Sequence, residues 1–207
     1  TAQDTLANWQ VVIEETVRGM GYDLVELERS AGGLLRVTLD FPWLPGQPAQ
    51  AITVEDCERV TRQLHYTLEV ENTDYRRLEV ASPGIDRPLN STADCLRFAG
   101  SIIDLTLKQA LGEAAAGSGI SANRKKFRGT LETVEESPDH SLWRIVWSDE
   151  PAPKPGVRVS KKKIPAPLQA MTFSLDEVRE IRLAPIVNFK GRAAEAAPTT
   201  TETDPKE

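Results

Sequence analysis

The sequence predicts an α+β protein in which an N-terminal αββαβ domain is followed by a small C-terminal β-barrel. Up to residue 81, apolar residues recur at helical and then at alternating spacing, in the order helix, strand, strand, helix, strand. Beyond residue 100 they alternate in short runs separated by turn residues, which is typical of a small barrel. We therefore predict domains at 1–88 and 89–185, and a disordered tail at 186–207, where apolar residues are few.

Two amphipathic helices are predicted in the first domain. The first, from about Asp4 to Arg18, has apolar residues at spacings of three and four. They are Leu6, Trp9, Ile13, Val17 and Met20. Thr53 is the predicted N-cap of the second helix, and Asp56 lies three residues later, where its carboxylate can complete a capping box. The buried stripe of this helix comprises Cys57, Val60, Leu64 and Leu68.

Three strands are predicted to form the sheet that these helices cover. Residues 23–28 and 35–40 form a hairpin around a pair of glycines, and residues 77–81 supply the third strand. In the second strand the apolar residues alternate with polar ones and are predicted to point inward. The polar residues predicted to face water there are Arg36, Thr38 and Asp40.

The third strand ends in a stretch with two rigid corners. Proline fixes φ and glycine tolerates a positive φ, so Pro83 and Gly84 predict a turn, and Pro88 adds a second corner. We interpret the stretch as a stiff joint between the domains, formed by Ser82, Pro83, Gly84, Asp86, Arg87 and Pro88. Within it, Asp86 and Arg87 are predicted either to pair with each other or to reach the neighbouring domain.

The second domain begins with a short helix, for which Ser91 is the predicted cap with Asp94 three residues later. Three barrel strands are indicated by alternating apolar residues, and a last strand is predicted at 178–183. The alternating residues are Ile103, Leu105, Leu107, Phe127, Gly129, Leu131, Trp143, Ile145 and Trp147. Glycine- or proline-rich stretches at 114–121 and 149–156 predict long loops.

Charge is distributed unevenly along the chain. Residues 1–92 contain 8 Lys and Arg against 15 Asp and Glu, a net charge of −7, which suits a basic partner or simply aids solubility. Two basic clusters in the second half suit RNA, although lysine runs are equally typical of solvated loops and guarded strand edges. The residues predicted to contact RNA are Arg124, Lys125, Lys126, Arg128, Lys161, Lys162 and Lys163.

The sequence contains no recognisable catalytic motif or set of metal ligands. Cys57 and Cys95 are isolated, and the two histidines lie in different halves without partners at motif spacing. We therefore expect no cofactor and no enzymatic activity, with a cysteine hydrolase as the least favoured alternative. No stretch resembles a signal peptide or approaches the roughly 20 apolar residues of a membrane span, so we expect a soluble cytoplasmic protein.

Four stretches match the pattern of one known family in order and spacing. They are Gly-Tyr-Asp-Leu-Val-Glu at 21–26, Leu-Arg-Val-Thr-Leu-Asp at 35–40, Val-Glu-Asp-Cys-Glu at 54–58 and Leu-Glu-Val-Ala-Ser-Pro-Gly-Ile-Asp-Arg-Pro-Leu at 78–89. On these stretches the chain resembles the bacterial ribosome maturation factor RimP family, over most of residues 6–183. The last stretch is the most specific, although Ala81 stands where the family usually has serine.

The resemblance implies an SH3-like or Sm-like second domain and a non-enzymatic role in assembly of the small ribosomal subunit. It also implies association with a ribosomal protein at the decoding centre. We expect such a basic protein to meet the acidic first domain at Glu26, Glu28, Asp40 and Glu79, and the chain to act as a monomer. The alternative is a general RNA-binding protein with KH-like and Sm-like domains and no role in assembly, although the GXXG loop of KH domains is absent.

Overall fold

The computed structural model describes residues 8–112, 119–148 and 167–185, and it confirms the α+β class. The helices are α1 (Asn8–Gly19), α2 (Val54–Val70) and α3 (Thr92–Arg97). The strands are β1 (Asp23–Arg29), β2 (Leu34–Asp40), β3 (Arg77–Ala81), β4 (Ile102–Leu107), β5 (Lys126–Thr133), β6 (Trp143–Ser148), β7 (Leu168–Phe173) and β8 (Val178–Leu183). The predicted tail at 186–207 lies outside the described residues.

The first three strands form one sheet in the order β1-β2-β3. β1 and β2 are the predicted antiparallel hairpin, whereas β3 pairs in parallel with β2 because α2 crosses over between them. α1 and α2 pack against this sheet around a shared core, as the sequence predicts. The fully buried residues of that core are Ile13, Val17, Leu35, Val37, Leu39, Val60, Leu64 and Leu68.

The start of α2 has the predicted capping box. The hydroxyl of Thr53 accepts a hydrogen bond from the backbone N–H of Asp56 (3.2 Å), and the Asp56 carboxylate accepts one from the backbone N–H of Thr53 (2.9 Å). The same carboxylate accepts a hydrogen bond from the hydroxyl of Tyr22 and another from Arg59, both at 2.6 Å. These donors, the Tyr22 hydroxyl foremost, lower the pKa of Asp56 to about 2. The first turn of α2 is thereby tied to the residue that precedes β1.

The remaining strands form a five-stranded antiparallel sheet in the order β7-β6-β5-β4-β8. All five strands contribute to one core, in the region where the sequence predicts a small barrel, and we keep the name barrel for this sheet. Its buried residues include Ile103, Leu105, Phe127, Leu131, Trp143, Ile145, Trp147, Met171, Phe173 and Ile181. The sequence prediction missed β7. The buried rings of Phe127, Trp143 and Trp147 are core residues and do not offer a face on which a base could stack.

The stretch that follows β3 is hydrogen bonded to the barrel. Its residues 87–89 run along β8, where the N–H of Leu89 donates to the carbonyl of Ile181 and the N–H of Leu183 donates to the carbonyl of Arg87, both at 2.9 Å. The stretch therefore continues the ladder of the barrel sheet beyond β8.

The end of β2 is more deeply buried than its polar sequence predicts. Thr38 and Asp40 are only 9% and 5% exposed, so the expectation that they face water is wrong. At Asp40 the reason is a pair of arginines, because Arg87 and Arg97 both reach its carboxylate, the latter from α3, whose predicted cap Ser91 is confirmed.

A substitution at Gly129 can test the close approach of β5 and β6 in the barrel. A Cβ at this position of β5 would lie 2.4 Å from the carbonyl oxygen of Val146 in β6. Because the backbone of a paired strand cannot move aside, we expect Gly129→Ala to lower the free energy of unfolding by about 3 kcal/mol in urea denaturation. Gly32→Ala is the control, since its Cβ would meet only the Ser30 hydroxyl at 3.7 Å, and we expect a change below about 0.5 kcal/mol. Equal unfolding midpoints for the two variants would contradict this packing.

The lowered pKa of Asp56 makes part of the stability depend on pH. Its pKa falls from 3.8 to about 2 on folding, so its hydrogen bonds stabilise the protein fully above about pH 4 and are lost as the pH falls toward 2. We expect Asp56→Asn to be less stable than the parent protein at neutral pH, and the difference to shrink below about pH 4. Thermal unfolding over this range measures the effect, with the exposed Asp74→Asn as the control. A difference that stays constant with pH would exclude the proposed linkage.

Candidate binding surfaces and the contact between the two sheets

A buried cluster of charges joins the N-terminal sheet to the barrel. Asp40, at the end of β2, lies 3.4 Å from Nε of Arg87 and accepts a hydrogen bond from Nη1 of Arg97 at 2.9 Å. Arg87 also donates to Asp94 at 3.0 Å, and both guanidinium groups lie over the ring of Phe98, at 5.2 and 4.9 Å. The side chains of Arg87 and Asp40 are 7% and 8% exposed. Water therefore screens these charges little, and each depends on its partners.

A second contact links β1 with β8. Arg182, in β8, binds Glu26 of β1 through Nη2 and Glu180 through Nε, and its Nη1 donates to the backbone carbonyl of Asp86 at 3.2 Å. The hydrogen bond to Glu180, followed by that to Glu26, raises the pKa of Arg182. The side-chain amide of Asn90 donates to a backbone carbonyl of β1 at 2.7 Å. The two sheets are thus connected at both the β1 and the β2 strand.

Each of the four carboxylates predicted to meet a basic protein has an arginine partner within the protein. Glu26 and Asp40 belong to the two contacts just described. Glu28 and Glu79 flank Arg36, whose guanidinium lies 3.5 and 3.2 Å from them. Much of the negative charge on this face of the sheet is therefore compensated internally. Among the four, Glu28 has the most exposed side chain.

The basic residues predicted to contact RNA occupy different environments. Arg128 forms a bidentate pair with Asp104, at 2.7 and 2.8 Å, and the guanidinium of Arg124 lies 4.5 Å from the centre of the Phe127 ring. Lys125 and Lys126 are exposed at the start of β5. The other predicted residues, Lys161, Lys162 and Lys163, lie outside the described residues.

The stretch interpreted as a joint contacts elements on both sides. Arg87 reaches Asp40 in β2 and Asp94 in α3, whereas the carboxylate of Asp86 lies 3.9 Å from Arg182 in β8. The backbone turns tightly here, since a Cβ at Gly84 would lie 2.9 Å from Oδ1 of Asp86. Asp86 and Arg87 therefore point to different neighbours.

The two cysteines are not poised to act as nucleophiles. Burial raises the pKa of the Cys95 thiol to about 12 and also raises that of Cys57 above its ordinary value. Both thiols stay protonated near neutral pH, which counts against the cysteine-hydrolase alternative. Within the described ranges, no group of three His, Cys, Asp or Glu residues could hold a metal ion. The helices in those ranges are too short or too polar to cross a membrane.

Comparison with known proteins finds extensive similarity. A family model described as the RimP N-terminal domain matches residues 12–86. The chain is 59% identical over 201 residues to the ribosome maturation factor RimP of Paracidovorax citrulli, which covers 91% of this chain and 97% of the relative. It is 62% identical over 191 residues to the protein of the same name from Delftia acidovorans, covering 89% and 97% of the two chains. The corresponding protein of Variovorax paradoxus is 58% identical over 203 residues, covering 94% and 95%.

Removing Arg87 tests whether the buried charge cluster sets the angle between the two sheets. Arg87→Ala leaves Asp40 with one arginine and takes a buried partner from Asp94, so we expect a loss of about 3 kcal/mol in stability. We also expect solution X-ray scattering to change while circular dichroism still shows folded protein.

The control for this experiment is Arg128→Ala, which removes an exposed ion pair with Asp104. We expect it to cost less than about 1 kcal/mol and to leave the scattering profile unchanged. A scattering profile of Arg87→Ala that matches the parent protein would contradict the interpretation of this stretch as a joint.

Proposed function

The chain belongs to the ribosome maturation factor RimP family, and we propose that it helps the small ribosomal subunit to mature. It does so by binding a basic ribosomal protein of that subunit, near the decoding centre, or the ribosomal RNA beside it. The observation that carries this proposal is the high identity to relatives named ribosome maturation factor over nearly the whole chain. Alignment over that share of the chain includes both sheets.

In this proposal the chain acts by binding, as a monomer in the cytoplasm, without a cofactor and without catalysing a reaction. Two properties of the described residues support a binding role. The thiols of Cys57 and Cys95 are protonated near neutral pH, and charged side chains are exposed on both halves of the molecule. A maturation factor of this kind holds its partner in a productive arrangement and then leaves the completed subunit.

The contact residues proposed for each partner follow from exposure. On the sheet, Glu28 and Glu79 are candidates for a basic protein, because Glu26 and Asp40 serve in the contacts between the sheets. On the barrel, the exposed Lys125 is a candidate for RNA, together with its neighbour Lys126. Lys161, Lys162 and Lys163 remain predictions from the sequence.

A general RNA-binding protein without a role in assembly is the second candidate function. The exposed lysines at the start of β5 are the observation that favours it. The buried aromatic rings of the barrel count against it, because binding of single-stranded RNA commonly depends on stacking between bases and exposed rings.

Sedimentation through a sucrose gradient distinguishes the two candidates. We expect the tagged chain to travel with free small subunits and to be missing from complete ribosomes, because a maturation factor leaves before the subunits join. Its affinity for unrelated single-stranded RNA should be weak and strongly dependent on salt. A chain that binds such RNA tightly and does not travel with small subunits would overturn the assembly role in favour of general RNA binding.

A further inference from the structure

Several carboxylates on α1 and α2 lack the arginine partners that the carboxylates on the sheet have. Glu55, Glu58 and Glu69 are exposed along α2, and Glu15 is exposed along α1. The side chains of these four residues form no ion pair or hydrogen bond with any other described residue. The uncompensated negative charge of the N-terminal half therefore lies mainly on its helices, with Arg62 as a cation among these carboxylates.

Two large apolar side chains are exposed together toward the end of α2, and Val54 is exposed at its start. Tyr66 and Val70, one helical turn apart in α2, are 67% and 61% exposed. The opposite side of α2 holds Val60, Leu64 and Leu68 fully buried, so Tyr66 and Val70 are not needed to pack the helix. Charged residues border these two side chains, and tyrosine is enriched in protein contact surfaces. We name this surface, comprising Glu55, Glu58, Arg62, Tyr66, Glu69 and Val70, the α2 outer face.

We propose that the α2 outer face is a docking surface for a basic segment of a small-subunit ribosomal protein. An apolar side chain of that segment covers Tyr66 and Val70, and its Lys or Arg residues meet Glu58 and Glu69. This inference rests on the proposed function and assigns the main contact with the partner to α2, ahead of Glu28 and Glu79 on the sheet. The sheet is a weaker receptor for the same segment, because Arg36 already occupies the carboxylates of Glu28 and Glu79.

Charge complementarity selects this occupant over two others. A second copy of the chain would bring one acidic face against another, which like-charge repulsion disfavours. The chain's own residues 1–7 contain Asp4 and neither Lys nor Arg, so they do not complement the carboxylates. A basic ribosomal segment satisfies both the charged and the apolar part of the surface.

Charge reversal on the α2 outer face tests the proposal. Glu58→Lys combined with Glu69→Lys should weaken binding to purified, immobilised small subunits by about tenfold and reduce its salt dependence. The matched control, Glu135→Lys with Asp176→Lys, reverses two exposed charges on the barrel and should leave the affinity within about twofold of the parent protein. Tyr66→Ala should weaken binding at every salt concentration, because it removes apolar contact and no charge. Circular dichroism verifies that each variant is folded.

Several outcomes would overturn this docking site. The first is that the α2 variant binds small subunits as well as the barrel control does. The second is that the double variant Glu28→Gln with Glu79→Gln loses binding while the α2 variant binds normally. Two further outcomes point to the other occupants: tighter binding after deletion of residues 1–7, and a dimer of the parent protein that charge reversal dissociates. If the parent protein itself does not bind small subunits, the proposed function fails. If it binds and the α2 variant binds equally, the docking site alone fails.

Discussion

A carboxylate buried at the end of β2 governs how the two sheets of this protein meet. Moving a charge out of water is costly, and the position of Asp40 is tolerated because Arg87 and Arg97 bring compensating positive charge. Both arginines come from the segment that leaves β3 and ends in α3, and residues 87–89 of that segment are hydrogen bonded to β8. The connection is therefore held by charge at the N-terminal sheet and by backbone hydrogen bonds at the barrel.

This arrangement fixes the orientation of the two sheets more than it adds net stability. A buried ion pair often contributes little net free energy, since desolvation offsets the attraction, but its loss exposes the cost of an uncompensated charge. The pair formed by Arg182 and Glu26 adds a second contact between the sheets, so rotation about one contact would break the other. A fixed orientation suits the binding role proposed above, because less conformational freedom is lost on binding.

The elements could be predicted wherever a local pattern was sufficient. Alternation located β4, β5 and β6, and a capping box located the start of α2. β7 was not predicted because only two of its six residues, Met171 and Phe173, are buried, and so short an alternation cannot be recognised. The burial of Asp40 could not be predicted for a different reason. Alternation places it on the face opposite the helices, but its partner Arg97 lies 57 residues later in the chain.

The sequence could not show which carboxylates lack an ion-pair partner. A net charge counts the charged residues but does not say which of them pair in the fold. In a sheet, residues directly opposite each other are brought within reach, and the register places Arg36 between Glu28 and Glu79. Carboxylates on strands are thus compensated by neighbours that the sequence does not reveal. On the exposed side of α2, Glu58 and Glu69 have no ion-pair partner among the described residues. The net charge of −7 in residues 1–92 therefore suits a basic partner or solubility equally, and the proposal of α2 as a docking surface needs the strand register.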